Sequence, residues 1–69
     1  MKTLKIDHQA LEAARVAKGL SYTALAAMAG LDYWVVYRTL TGRTKGLEPA
    51  HRLARALGLR PQSVVSLTV

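Results

Sequence analysis

The sequence predicts an all-α domain of four or five short helices joined by tight turns. Three observations predict it. First, glycines at positions 19, 30, 42 and 58 cut the chain into short apolar stretches, three of which open on a capping residue: Asp7, Ser21 or Asp32. Second, alanine supplies much of the apolar content and phenylalanine is absent. The core is then built from Leu, Val, Ala and a few aromatics, and small alanine faces let helices approach closely. Third, only about two residues separate the second and third helical stretches, and a glycine in so short a connection is the composition of a helix-turn-helix.

The elements follow in order. Asp7 caps a first helix that ends at Gly19, with Leu11 and Ala14, joined by Ala10 and Ala17, as its buried stripe. Glu12 and Arg15 point away from that stripe, and Lys18 suits the negative end of the helix dipole. Ser21 caps a second, nearly all-apolar helix carrying Leu25, Ala26, Met28 and Ala29, which stops at Gly30. Leu31 bridges to Asp32, and the third helix runs from about Tyr33 to Thr41, ending at Gly42. A basic loop, GRTKG, leads to a fourth helix with Glu48 and Pro49 in its first turn, a core stripe of Leu53, Ala54 and Leu57, and a stop at Gly58. The tail LRPQSVVSLTV reads as a fifth helix opening at Pro61, with a strand added to a partner as the alternative.

Sixty-nine residues make one domain, residues 1–69, with a core worth only ~3–5 kcal/mol on its own. Ten Lys and Arg face four Asp and Glu, a net charge of +6, which on so small a body attracts polyanions. Cysteine is absent, so disulfides and thiolate metal sites are excluded, and His8 and His51 stand apart without carboxylates at ligand spacing. No metal, cofactor or small-molecule ligand is expected. The start MKTLKIDHQ is too polar for a signal peptide and no apolar run reaches membrane-spanning length, so a soluble protein of the cytoplasm or nucleoid is expected.

Taken together, Arg15, GLS at 19–21, LA at 25–26, AGL at 29–31, Val36, TG at 41–42 and LARALGL at 53–59 keep a distinctive spacing. The stretch from about residue 6 to 66 resembles the phage Cro and repressor helix-turn-helix family. The resemblance implies a five-helix, lambda-repressor-like domain that binds operator DNA, usually as a two-fold dimer, with the third helix in the major groove. Three positions depart from the family pattern. Tyr22 stands where a glutamine commonly braces a phosphate and the recognition helix. Leu40 stands where a glutamate often pairs with the first-helix arginine, leaving Arg15 to reach a phosphate, solvent or a carbonyl at a helix end. Thr39 replaces a buried aliphatic residue, whose packing role Leu40 is expected to take.

A helix turns about 100° per residue, so with Tyr33 at zero, Val36 lies near 300° and Leu40 near 340°, a natural core pair. Trp34 near 100° and Arg38 near 140° lie on the side away from that pair, and Tyr33 at zero and Tyr37 near 40° fall between the two pairs. Burying all three aromatics of this helix would need more facing surface than the alanine-rich first and second helices offer. The family resemblance carries base reading onto Tyr33, Trp34, Tyr37 and Arg38. It carries phosphate contact onto Ser21, Tyr22, Thr41, Arg43, Thr44 and Lys45, and Lys2 and Lys5 form a candidate basic arm. Tyr33 is left open between core and surface.

The leading expectation is a sequence-specific regulator of the repressor or Cro kind, acting on double-stranded DNA as a homodimer joined through Val64, Val65, Leu67 and Val69. The alternative is a protein-interaction module that uses the same aromatic face. Catalysis is not expected, because no nucleophile stands with a base and each carboxylate lies near a helix start.

Overall fold

The computed structural model describes residues 3–44 and 46–68, by backbone alone at 3, 4 and 66–68. Lys2, Lys45 and Val69 lie outside the described residues, as does the Leu67 side chain. The order is β1 (Thr3–Ile6), α1 (His8–Ala17), α2 (Tyr22–Ala29), α3 (Tyr33–Leu40), α4 (Leu47–Ala56), α5 (Pro61–Val64) and β2 (Val65–Thr68). The five helices form the expected all-α arrangement of the lambda-repressor kind, and a small ribbon is added to it.

The predicted caps form. The Asp7 carboxylate accepts from the Ala10 amide at 3.1 Å, Ser21 from Ala24 at 3.0 Å, and Asp32 from Trp34 at 3.1 Å. Gly30 takes a left-handed conformation, and the Leu31 amide donates back to Ala26 at 2.9 Å. This closure satisfies carbonyls at the end of α2 and turns the chain directly into Asp32 and α3.

Leu11, Leu25, Val36, Leu40, Leu53, Leu57 and Val64 meet in one core around the buried alanines 50 and 54. Leu11 is the only fully buried residue of α1 and contributes roughly 1.5–3 kcal/mol. Ala17, expected in the same stripe, is exposed, and Met28 of α2 is exposed as well. Thr39 is buried beside Leu40 rather than displaced by it, because its hydroxyl donates to the Val35 carbonyl at 2.8 Å. That bond removes the cost of burying the polar group.

The chain end differs from the expected single helix. After the four-residue α5, residues 65–68 pair antiparallel with residues 3–6 of the same chain, Ile6 opposite Val65 and Leu4 opposite Leu67. The strand reading of the tail was therefore right in kind, but its partner is the chain's own N-terminus. Lys5, expected on a basic arm, sits exposed in β1. The Asp7 amide extends the pairing to the Val64 carbonyl at 2.6 Å, so the residue that caps α1 also ties it to the tail. Val64, expected at a dimer surface, is 2% exposed and belongs to the core; Val65 is half-buried against that core.

Gly42 closes α3 with φ of +77°, and the His8 ring lies over it so closely that an added Cβ would stand 2.8 Å from Nε2. Gly30 has a similar φ of +68° but a Cβ there would meet nothing nearer than 3.8 Å. Gly42→Ala is expected to cost about 2 kcal/mol or more and Gly30→Ala about 1 kcal/mol, since only the first adds a clash to left-handed strain. Urea unfolding reads both. Replacing His8 with alanine should restore part of the Gly42→Ala loss, and equal losses at the two glycines would refute the contact.

Candidate nucleic-acid interface

The outward side of α3 is set by what its inward side buries. Val36, Thr39 and Leu40 face the core, which leaves Trp34, Arg38 and Thr41 on the far side, as the angular reading expects. Trp34 is 60% exposed. Tyr33, left open by the sequence, is 39% exposed and joins the outer face. Tyr37 is half-buried at the edge.

These rings are packed on one another. Tyr33 meets Trp34 edge-on at 5.3 Å between centroids, and Trp34 meets Tyr37 at 5.9 Å. Tyr22 closes the circuit from α2, edge-on to both Tyr33 and Tyr37 at 6.0 Å. Contacts of this geometry add ~0.5–1.5 kcal/mol each beyond the area they bury.

Tyr22 is itself held from behind. Its hydroxyl donates to Glu12 Oε2 at 2.8 Å, and the Arg15 guanidinium lies 4.5 Å from its ring centre. Arg15 also bonds the other oxygen of Glu12 and donates from Nη1 to the Leu20 carbonyl at 2.6 Å. Of the destinations the sequence allowed for Arg15, the structure comes nearest to the helix-end carbonyl: the acceptor lies in the turn between α1 and α2, and Glu12 is added. The hydrogen bond to the Glu12 carboxylate, helped by burial and by that carboxylate's charge, raises the Tyr22 pKa above its ordinary value, while Arg15 pulls the other way.

The remaining sequence-predicted residues divide as follows. Ser21 is exposed, with its oxygen capping α2. Tyr22 is half-buried, its hydroxyl turned to Glu12. Thr41 is exposed and donates to the Tyr37 carbonyl at 2.7 Å. Arg43 is exposed beyond the end of α3, where its amide donates to the Arg38 carbonyl at 2.8 Å. Thr44 is half-buried and accepts from the Gly46 amide at 3.3 Å. Among the described residues neither Arg38 nor Arg43 enters an ion pair, so both guanidinium groups stand available to an anion.

Sequence reasoning missed Glu12 as the bracket behind the aromatic face and His8 as the prop on Gly42. The i, i+3 spacing of Glu12 and Arg15 signalled their pairing. Nothing in the sequence signalled that Tyr22 would join it.

A family model described as helix-turn-helix matches residues 11–64, from the buried Leu11 to the last residue of α5. No curated protein and no solved structure matches the chain. No helix among the described residues is long and apolar enough to cross a membrane.

Tyr22→Phe deletes the bond to Glu12 while keeping the ring, and should lower stability by about 1 kcal/mol at neutral pH. The neutral phenol is the form the fold favours, so this contribution is complete below about pH 10 and is lost as pH rises through the raised folded-state pKa. Urea unfolding of the two proteins from pH 7 to 11 should show the difference shrinking only at the alkaline end. A difference that is constant across that range would contradict the assignment.

Proposed function

The chain belongs to this helix-turn-helix family of Cro and repressor DNA-binding domains, and from that premise we propose that it is a sequence-specific transcriptional regulator that docks α3 in the major groove of operator DNA. The observation that carries the reading is an outer face of α3 with Trp34, Tyr33 and Arg38, which enters no ion pair among the described residues, flanked by Arg43, on a body of net charge +6. Arg38 reads guanine through O6 and N7, a contact worth ~1–3 kcal/mol of discrimination. Tyr33, Trp34 and Tyr37 form the rest of the base-reading face. Arg43, with Ser21, Thr41, Thr44, Lys45 and the first amides of α2, sets the face against the phosphate backbone. Tyr22 acts chiefly by bracing Tyr33 and Tyr37.

A two-fold dimer on a palindromic site completes this reading, in the repressor or Cro manner. With Val64 committed to the core, the joining surface shifts to the ribbon that carries Val65 and Leu67, where each of the two strands keeps one backbone edge without a partner among the described residues. The second reading, a protein-docking face, is favoured by the same exposed Trp34, since Trp, Tyr and Arg lead the residues that anchor protein interfaces.

Selection of bound duplexes from a random pool tests the proposal. It should return a palindrome with half-sites about 34 Å apart, one helical turn. Arg38→Ala should weaken the selected site roughly tenfold or more and relax preference at one guanine. Arg43→Ala should weaken all sequences alike and reduce the salt slope by about 0.9. A site bound equally well after Arg38→Ala and Trp34→Ala would remove α3 from the interface, and binding to a protein partner with little salt dependence would favour the second reading.

A further inference from the structure

The outer face of α3 is unusual in what it offers to a base. Asn or Gln is needed to read adenine bidentately, and no amide side chain stands on α3. Two polar neighbours of the rings are already engaged. Thr41 donates to the Tyr37 carbonyl, and one Asp32 oxygen caps the Trp34 amide. Arg38 is the one charged donor on the helix, and beside it Tyr33 and Trp34 present mostly ring carbon, with a single hydroxyl on Tyr33 and a single indole N–H on Trp34.

The major groove has one apolar feature that ring carbon can fit, the C5-methyl group of a pyrimidine. The rings are suited to it because they are fixed. Trp34 rests edge-on against Tyr33 and Tyr37, and Tyr22 holds both tyrosines from behind through its own bond to Glu12. Side chains already ordered in the free protein lose little entropy when a base edge docks on them.

Resting on the DNA reading above, we infer that the Tyr33–Trp34 face selects a C5-methylated pyrimidine, thymine or 5-methylcytosine, close to the guanine bound by Arg38. Trp34 and Arg38 are four residues apart, a rise of about 6 Å against about 3.4 Å per base pair, so the methyl group lies within about two base pairs of that guanine. At this position unmethylated cytosine lacks the group that the rings contact. Methylation at C5 supplies it without touching the guanine contact. The protein therefore binds a cytosine-containing version of its site more tightly once that cytosine is methylated.

The test uses the duplex returned by selection. Each thymine in a half-site is replaced by deoxyuridine, which deletes only the methyl group. Separately, the sensitive thymine pair is changed to a cytosine pair, with and without C5 methylation. Affinity is read by fluorescence anisotropy at one salt concentration. Deoxyuridine at one or two positions should weaken binding about fourfold each, and methylating the cytosine should strengthen binding by a similar factor. Both responses should vanish in Trp34→Ala, with circular dichroism confirming its fold, and should shrink in Tyr33→Ala. If the fully uracil-substituted duplex binds within about 1.5-fold of the original while Arg38→Ala still weakens it, methyl reading is overturned and DNA reading stands. A pool that yields no preferred sequence overturns both.

Discussion

The Glu12 carboxylate accepts the Arg15 guanidinium on one oxygen and the Tyr22 hydroxyl on the other. Arg15 reaches on to the Leu20 carbonyl and covers the Tyr22 ring. Three parts of the chain are joined in this way: α1, the turn after it, and the start of α2. Charge-assisted bonds among half-buried groups are stronger than an exposed pair such as Glu48 with Arg52, whose side chains stand largely in solvent. Tyr22 could not serve as a fixed plane for Tyr33 and Tyr37 if its phenol were free to swing into water. The order of the outer aromatic face thus begins at a carboxylate on a different helix.

The same constraint explains how so short a helix presents so large a face. α3 has eight residues, below the length at which an isolated helix holds together in water. It is held by Val36, Thr39 and Leu40 from beneath, by the Asp32 cap at one end, and by the Gly42 closure under His8 at the other. Thr39 needs no outside partner because it bonds within its own helix. None of these anchors uses the outer side. Arg38 and Arg43 are left free of structural duty, so their replacement costs the fold little.

Much of this was legible in the sequence because it is local. A cap is a matter of three residues, so Asp7, Ser21 and Asp32 announce their helices, and Gly30 and Gly42 announce the ends. The outer position of Trp34 and the inner positions of Val36 and Leu40 follow from a helix turning about 100° per residue. The illegible features all join distant segments. The β1–β2 pairing brings opposite ends of the chain together, so the β-branched tail was visible as a possible strand while its partner was not. The turn of Tyr22 toward Glu12 depends on how α1 and α2 cross, which spacing alone does not fix. His8 over Gly42 is a contact of the same sort, and Val64 was misplaced because an apolar tail residue looks the same whether its own core or a second chain covers it.

On the proposed DNA reading, affinity and discrimination are lodged in different chemistry. Guanidinium groups on flexible stems, such as that of Arg43, act on any phosphate and lose strength as salt rises. Rings locked edge-to-face have little freedom to adapt, and their value lies in rejecting a poor fit. An exposed tryptophan contributes little to a monomer's stability, because most of its surface stays in water whether the chain is folded or not. Its exposed position on a small, strongly basic helical domain makes physical sense when another surface takes over from that water. On that reading the bracket of Glu12, Arg15 and Tyr22 has a purpose beyond folding, since it orders the rings before DNA arrives and lowers the entropy lost on contact.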